Sequence, residues 1–109
     1  IDRVKTLMTM NERVLHAILE AVDEVNQILP KEQRLEKSVD TVLLGNQGTL
    51  DSLGLVNFIV ALEQKIEEEF GVAIIMTEEK IILEDDRPVK TIGTLTEDIG
   101  LILAEKTNG

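Results

Sequence analysis

The sequence predicts a single all-α domain over residues 1–109, folded as a bundle of four helices. Hydrophobic residues make up 43% of the chain, but only 2% of it is aromatic. The core must therefore be built from Ile, Leu, Val and Met, and such aliphatic surfaces favour helix-on-helix packing over a β-sandwich. Several segments also carry apolar residues at helical spacing next to capping residues. We expect three longer helices, a short third helix and a long connection between the first two.

The first helix is predicted from a capping box, with Thr9 as N-cap and Glu12 three residues later. Pro30 ends it, because proline cannot donate the next backbone hydrogen bond. His16 lies about 200° around the helix from Val14 and should face solvent, without a metal-binding or catalytic role. The apolar stripe comprises Met10, Val14, Ile18, Val22, Val25 and Leu29.

The connection over residues 31–50 has no regular period. A structureless link of this length is unusual unless it is functional or packed by its own side chains. We expect a packed loop with a short helical turn near residues 32–36. The apolar residues predicted to fold back onto the core are Leu35, Val39, Val42, Leu43 and Leu44.

The second helix is predicted from its N-cap, Asp51, to Phe70, with Gly71 as its stop. Its apolar face comprises Leu55, Phe58, Ile59, Leu62, Ile66 and Phe70. A second group of residues lies on the other side of Ser52 from this face. Measured from Ser52 around the helix axis, these residues lie at about 20° to 80°. This group, the boundary strip, consists of two aliphatic residues followed by two acids: Val56, Val60, Glu63 and Glu67.

The rest of the chain continues the helical pattern. Residues 72–76 are apolar but have no predicted partner strand, so we expect an extended loop. A short third helix is expected over residues 77–83, because acidic residues occupy its first turn and are favourable at a helix N-terminus. The acids of residues 84–88 lack the ligand spacing of a calcium loop and indicate a solvated turn. Thr91 caps a last helix, whose stripe comprises Ile92, Leu95, Ile99, Ile102 and Leu103.

Charge and composition narrow the function classes. The net charge is −10, which disfavours binding to nucleic acid and to anionic membrane surfaces. There is no cysteine, so disulfides and thiol catalysis are excluded, and a reducing cytoplasm is the simplest location. We expect no membrane span and no signal peptide, because no apolar run is long enough. Because the first residue is Ile1, we expect the sequence to begin inside a longer gene product.

Ser52 does not look like a catalytic nucleophile. It lacks the Gly-x-Ser-x-Gly elbow, and the chain has one histidine, which the pattern places on an exposed face. The sequence has no Gly-rich phosphate loop and no obvious metal ligands or paired carboxylates in an apolar cleft. We therefore expect a protein that is not an enzyme.

The region around Ser52 resembles the signature region of the acyl carrier protein family. Residues 48–53 read Gly-Thr-Leu-Asp-Ser-Leu, and residues 67–71 read Glu-Glu-Glu-Phe-Gly. Residues 91–95, Thr-Ile-Gly-Thr-Leu, resemble the opening of that family's last helix. The resemblance covers most of residues 45–103, and the first helix matches in pattern only. It implies a four-helix carrier bundle in which Ser52, flanked by Asp51 and Leu53, carries a covalent 4′-phosphopantetheine derived from coenzyme A.

The resemblance also implies partners. These are a phosphopantetheinyl transferase, an acyl- or aminoacyl-activating ligase, and acyltransferases or ketosynthases, which would dock on the second helix of a monomeric carrier. From its position, the boundary strip is the predicted docking surface. An acyl chain that enters the bundle should lie between the second helix and the rest of the core, at the acyl cleft of Leu55, Ile59, Leu62 and Ile74.

Departures from the family pattern point to a specialised lipid or polyketide-type pathway in place of housekeeping fatty acid synthesis. The second helix is about one turn longer than in fatty-acid carriers, and Gly54 stands where those carriers usually have an acid. Residues 50–54 look closer to D-alanyl carriers, so an aminoacyl carrier is the first alternative. The second alternative is an acidic helical interaction module that carries no prosthetic group.

Overall fold

The chain is mostly helical in a computed structural model that describes residues 9–44, 51–76 and 90–108. In this part of the chain, the helices are α1 (Met10–Asn26), α2 (Ser52–Phe70) and α3 (Ile92–Asn108). A 3₁₀ turn follows α1 at Lys31–Gln33. Two short strands, β1 (Val42–Leu44) and β2 (Lys90–Thr91), complete the regular structure.

The helix ends follow the predicted capping chemistry. Thr9 Oγ1 accepts a hydrogen bond from the Glu12 backbone N–H at 3.1 Å, and the Glu12 carboxylate accepts one from the Thr9 N–H at 3.0 Å. The charged form of Glu12 is thereby stabilised, so its pKa is lowered, first by the Thr9 backbone N–H and then by the Thr9 side chain. Gly71 ends α2 at a φ of 68°, a left-handed conformation that glycine adopts without strain. The prediction of both ends is confirmed.

α1 packs against both α2 and α3, so the hydrophobic core lies between the three helices. The predicted stripe of α3 is confirmed, and so is that of α1 from Val14 to Val25, with Met10 only partly buried. Leu29 is buried but lies beyond the helix, because α1 ends at Asn26 and not at the predicted stop, Pro30. Ala17 and Ala21 also belong to the buried face of α1, and their small side chains suit close helix packing. The core includes, on α1, Val14, Ile18, Val22 and Val25; on α2, Phe58, Leu62 and Ile66; and on α3, Ile92, Leu95, Ile99, Ile102 and Leu103.

A two-stranded antiparallel sheet corrects the prediction of a purely all-α chain. Val42 lies opposite Thr91 and Leu44 opposite Lys90, with an irregularity in register between Val42 and Leu44. Two backbone hydrogen bonds continue this junction, from Ile92 N–H to the Thr41 carbonyl (3.0 Å) and from Gly93 N–H to that of Val39 (2.8 Å). The sheet therefore fixes the start of α3 against the connection that follows α1.

The connection after α1 is a packed loop, as predicted, and its helical turn falls at Lys31–Gln33, slightly before the predicted place. The Asn26 side chain holds it, accepting from the Leu35 N–H (2.8 Å) and donating to the Leu35 carbonyl (2.9 Å). Leu35 and Leu43 are buried, which confirms their predicted contact with the core. Val39 is 48% exposed, so its prediction was wrong. Its backbone carbonyl contacts α3, while its side chain remains in solvent.

Residues 72–76, which follow Gly71, are called the crossing segment. They have no regular secondary structure up to Met76, which is a 3₁₀ residue. Ile74 and Met76 are buried, while Ile75 between them is 48% exposed. The short third helix predicted over residues 77–83, and the turn predicted over residues 84–88, lie outside the described residues.

Charged side-chain contacts also join the elements. Arg13 of α1 donates to the Glu69 carboxylate (3.0 Å) and to the Glu69 carbonyl (2.9 Å), and its guanidinium lies 4.5 Å from the centre of the Phe70 ring. Lys90 of β2 and Asp98 of α3 form an ion pair at 2.5 Å, with both side chains almost completely buried. Among the described residues, no helix is both long and apolar enough to cross a bilayer.

Candidate functional site

The candidate site lies at the start of α2, where the predicted N-cap is confirmed. Asp51 has extended backbone angles, and its Oδ1 accepts a hydrogen bond from the Gly54 N–H at 2.8 Å. The Leu55 N–H donates to the Asp51 carbonyl at 2.9 Å and so begins the helical ladder. These two bonds use the third and fourth N–H groups of the helix. The N–H groups of Ser52 and Leu53 lie outside both bonds, at the positive end of the helix dipole.

Ser52 is the first residue of α2. Its neighbours on either side are open to solvent, since Asp51 is exposed and Leu53 is 70% exposed. The side chain of Gly54 is a single hydrogen, and this residue is buried. The backbone at Ser52 is therefore placed at a helix terminus on the surface of the protein, between two exposed residues.

The boundary strip divides into two kinds of residue. Val56 is 56% exposed, Val60 is 49% exposed and Glu67 is exposed, so these three are available to a partner. Glu63 is only half-exposed, and its Oε2 accepts a hydrogen bond from the Met76 backbone N–H at 2.9 Å. Val56, Val60 and Glu67 are exposed on the same side of α2, so a partner could contact all three. Glu63 has a structural contact that the sequence analysis did not predict.

The predicted acyl cleft maps onto the border between α2 and the crossing segment. Leu62 and Ile74 are fully buried in the core, Ile59 packs against it from a half-buried position, and Leu55 is also half-buried. The hydrogen bond from Met76 to Glu63 closes this border immediately beyond Ile74. A chain entering between Leu62 and Ile74 must therefore separate side chains that are in contact with the core.

His16 is 57% exposed, as predicted, but it has an acidic neighbour. Its Nδ1 lies 2.9 Å from Oε1 of Glu20, one helical turn along α1. The two side chains meet because residues four apart share a helix face. Among residues 9–44, 51–76 and 90–108, no group of three His, Cys, Asp or Glu side chains is arranged to hold a metal ion.

An exposed isoleucine beside the site was missed by the sequence analysis. Ile28 follows the end of α1 and is 66% exposed. It forms one wall of a cleft of about 170 Å³ whose other side is the first turn of α2. The sequence signal for this residue is that Ile28 is apolar but does not belong to the stripe of α1. The cleft is lined by Ile28, Leu29, Pro30, Gln33, Asp51, Leu53, Gly54 and Asn57.

Comparison of the chain with protein-family models, curated protein sequences and solved structures gave no match. The assignment to acyl carriers therefore stays a prediction from the residues around Ser52.

Proposed function

We propose that this chain is an acyl carrier protein, in which Ser52 bears a 4′-phosphopantetheine arm that holds acyl intermediates as thioesters. The observation that carries the proposal is the position of Ser52 as the first residue of α2, directly after a formed Asp51 cap. Carriers need an attachment residue that is accessible to other enzymes and held on a rigid element. The exposed neighbours of Ser52 and the 19-residue helix that follows it support both requirements.

The start of α2 suits a phosphodiester. Anions bind favourably at helix N-termini, because the first N–H groups point outward and the helix dipole is positive there. The Asp51 carboxylate is engaged by the Gly54 N–H, and the N–H groups of Ser52 and Leu53 precede it in the first turn of α2. When attached, the arm supplies a terminal thiol, which this cysteine-free chain lacks.

Attachment is a group transfer catalysed by a separate enzyme. The Ser52 hydroxyl oxygen forms a bond to the phosphorus that carries the pantetheine moiety of coenzyme A, and the pyrophosphate bond breaks. Adenosine bisphosphate leaves, and the serine proton passes to a base of the transferase. This chain provides the acceptor oxygen and its position, and it is not itself an enzyme in the proposal.

The rest of the proposal follows the carrier bundle. In the proposal, α1, α2 and α3 correspond to the three longer helices of the carrier bundle, and its short helix stays a prediction for residues 77–83. The phosphopantetheinyl transferase, an acyl-activating ligase, and acyltransferases or ketosynthases of a specialised cytoplasmic pathway dock on a monomer. Val56, Val60 and Glu67 form the main contact, because they are exposed on one side of the attachment residue.

An aminoacyl carrier of the D-alanyl type is the second candidate. The glycine two residues after Ser52 favours it, because fatty-acid carriers usually have an acid there. Gly54 is buried in the turn that Asp51 caps, and its N–H donates to the Asp51 carboxylate. An acidic interaction module is the third candidate, and it requires no modification of Ser52.

Intact-protein mass spectrometry tests the proposal. The chain is incubated with coenzyme A, Mg²⁺ and a promiscuous phosphopantetheinyl transferase, and we expect a gain of one phosphopantetheine. Ser52→Ala should abolish the gain and retain the helical circular dichroism. Ser38→Ala is the matched control, because Ser38 is the other serine of the sequence and should leave loading unchanged. A gain that survives Ser52→Ala, or an unloaded wild-type chain, would overturn the proposal.

A further inference from the structure

We propose that the groove between α1 and α2 is a docking site for an amphipathic helical segment of a partner protein, apolar at one end and basic at the other. This inference does not depend on modification of Ser52. It concerns the side of α2 that faces the C-terminal half of α1. Of the boundary strip, Val60 lines the groove and Val56 lies one turn before it on α2.

Three neighbouring clefts lie along the boundary of α1 and α2, since each shares lining residues with the next, and together they are called the groove here. The first, of about 330 Å³, lies along the acidic side of α1 and includes Glu24 and Gln27. The second, of about 380 Å³, shares both residues and reaches across to α2. The third, of about 170 Å³, shares Ile28 and Asn57 with the second and ends at Asp51. The groove therefore runs from the middle of α1 to the start of α2.

One end of the groove is apolar. Ile28 is 66% exposed and Leu53 is 70% exposed, and they line the same cleft. Val60 is 49% exposed, and it lines the next cleft with Ile28. Val56, at 56% exposure, lies on α2 between Leu53 and Val60. Covering adjacent exposed aliphatic side chains of this kind with a partner removes apolar surface from water and therefore favours binding.

The other end of the groove is acidic. The first cleft is lined by three carboxylates, Glu20, Asp23 and Glu24, against one cation, Lys65. Each of these carboxylates has a surface partner: His16 for Glu20, Lys37 for Asp23 at 2.9 Å, and Lys65 for Glu24 at 3.7 Å. The side chains of all three acids are 45% to 54% exposed. Such surface pairs contribute little, so a cationic partner can exchange with them.

The distribution of charge fixes the occupant and its orientation. An amphipathic helix binds a groove through apolar anchors at helical spacing, and its charges select the register. Lys or Arg side chains should lie near Glu20 and Glu24, and aliphatic or aromatic anchors near Ile28 and Val60. Eight residues separate Glu20 from Ile28, which corresponds to about 12 Å along a helix, or about two turns of the partner.

A synthetic helical peptide of about three turns, with Leu anchors at one end and Lys at the other, tests the proposal. We expect saturable shifts of the backbone amide signals of Glu24, Ile28, Asn57 and Val60 in an isotope-labelled chain. A spin label at the Lys end should broaden the signal of Glu20, and one at the Leu end that of Asn57. Affinity should fall as salt is added, because exposed charges are screened.

Two substitutions separate the groove from general adhesion. Ile28→Ser should weaken binding about tenfold, which is what burial of one aliphatic side chain is worth. Leu101→Ser is the matched control, because Leu101 is 57% exposed on α3 and lines none of the three clefts. Melting temperatures should be similar, since both positions are exposed. Replacing the peptide's Lys residues with Glu should abolish binding.

Three outcomes would overturn the proposal. Equal effects of Ile28→Ser and Leu101→Ser would show that the peptide adheres without using the groove. Binding of the Glu-bearing peptide with unchanged affinity would remove the role of the acids. Concentration-dependent sedimentation of the wild-type chain that Ile28→Ser abolishes would identify a second copy of this chain as the occupant.

Discussion

Glu63 of α2 accepts a hydrogen bond from the Met76 backbone N–H, with 2.9 Å between carboxylate oxygen and nitrogen. The contact joins the middle of α2 to the end of the crossing segment, thirteen residues later. Ile74, two residues before Met76, is buried in the core. The carboxylate thus ties the crossing segment to α2 two residues after Ile74 enters the core.

Glu63→Ala should lower the free energy of unfolding by about 1–2 kcal/mol, because the Met76 N–H loses a charged acceptor. Glu63→Gln should cost less, since its amide oxygen can still accept. Gln64→Ala serves as the control at an exposed neighbouring position. Urea unfolding measures all three. Equal costs for Glu63→Ala and Glu63→Gln would show that the hydrogen bond contributes nothing.

Glu67→Lys should slow loading by the phosphopantetheinyl transferase and weaken the salt dependence of the loading rate. The reason is that exposed charges steer association and are screened by salt. Glu97→Lys makes the same charge change on an exposed position of α3 and should have little effect. The measurement is the initial loading rate at several salt concentrations. If the two variants behave alike, Glu67 contributes net charge and no specific docking.

An octanoyl chain on the phosphopantetheine arm should shift the NMR signals of Leu55, Ile59, Leu62 and Ile74. Each methylene that leaves water contributes about 0.8 kcal/mol, which offsets part of the cost of separating packed side chains. An alanyl group is too small and polar to gain from this burial and should leave the four signals unchanged. Octanoyl-induced shifts confined to residues near Ser52 would place the cargo in solvent and favour the aminoacyl carrier.

Asp98→Asn should destabilise the fold by several kcal/mol, about 3–5, because it replaces the carboxylate of a buried ion pair with a neutral amide. The double substitution Lys90→Met with Asp98→Leu removes both buried charges and should cost much less. Denaturant unfolding of both variants gives the comparison. A double variant as unstable as Asp98→Asn would mean that local packing, and not the broken ion pair, sets the cost.

The capping box of α1 should make stability depend on pH below the ordinary pKa of glutamate. The pKa of Glu12 is lower in the folded state than its ordinary value of 4.5. Its contribution is therefore complete above about pH 4.5 and is lost as the pH falls through the lowered folded-state value. Glu12→Gln keeps an acceptor for the Thr9 N–H without this titration. On acidification, the wild type should lose more stability than Glu12→Gln does. Urea unfolding of both proteins at several pH values measures this difference. An unchanged difference would contradict the assignment.

The sequence by itself determined the features that depend on neighbours within a few helical turns. Caps at Thr9, Asp51 and Thr91 and the stop at Gly71 were all predicted, because each uses hydrogen bonds or backbone angles local to its own segment. The buried stripes of α1 and α3 followed from helical spacing. The start of the candidate site, with Ser52 at the first position of α2, is a local feature of this kind.

Only the tertiary structure decided the features that join distant segments. The pairing of Val42 with Thr91 spans a long stretch of chain, and β2 is too short to carry a strand pattern of its own. Glu63 fitted an exposed acidic strip by its helical angle, but the crossing segment passes beside it and supplies the Met76 N–H. Ile28 and Leu53 border one cleft because α1 ends where α2 begins in space. Helical periodicity gives the direction in which a side chain leaves the helix axis. Which neighbour that side chain contacts depends on how the helices and the connecting segments pack.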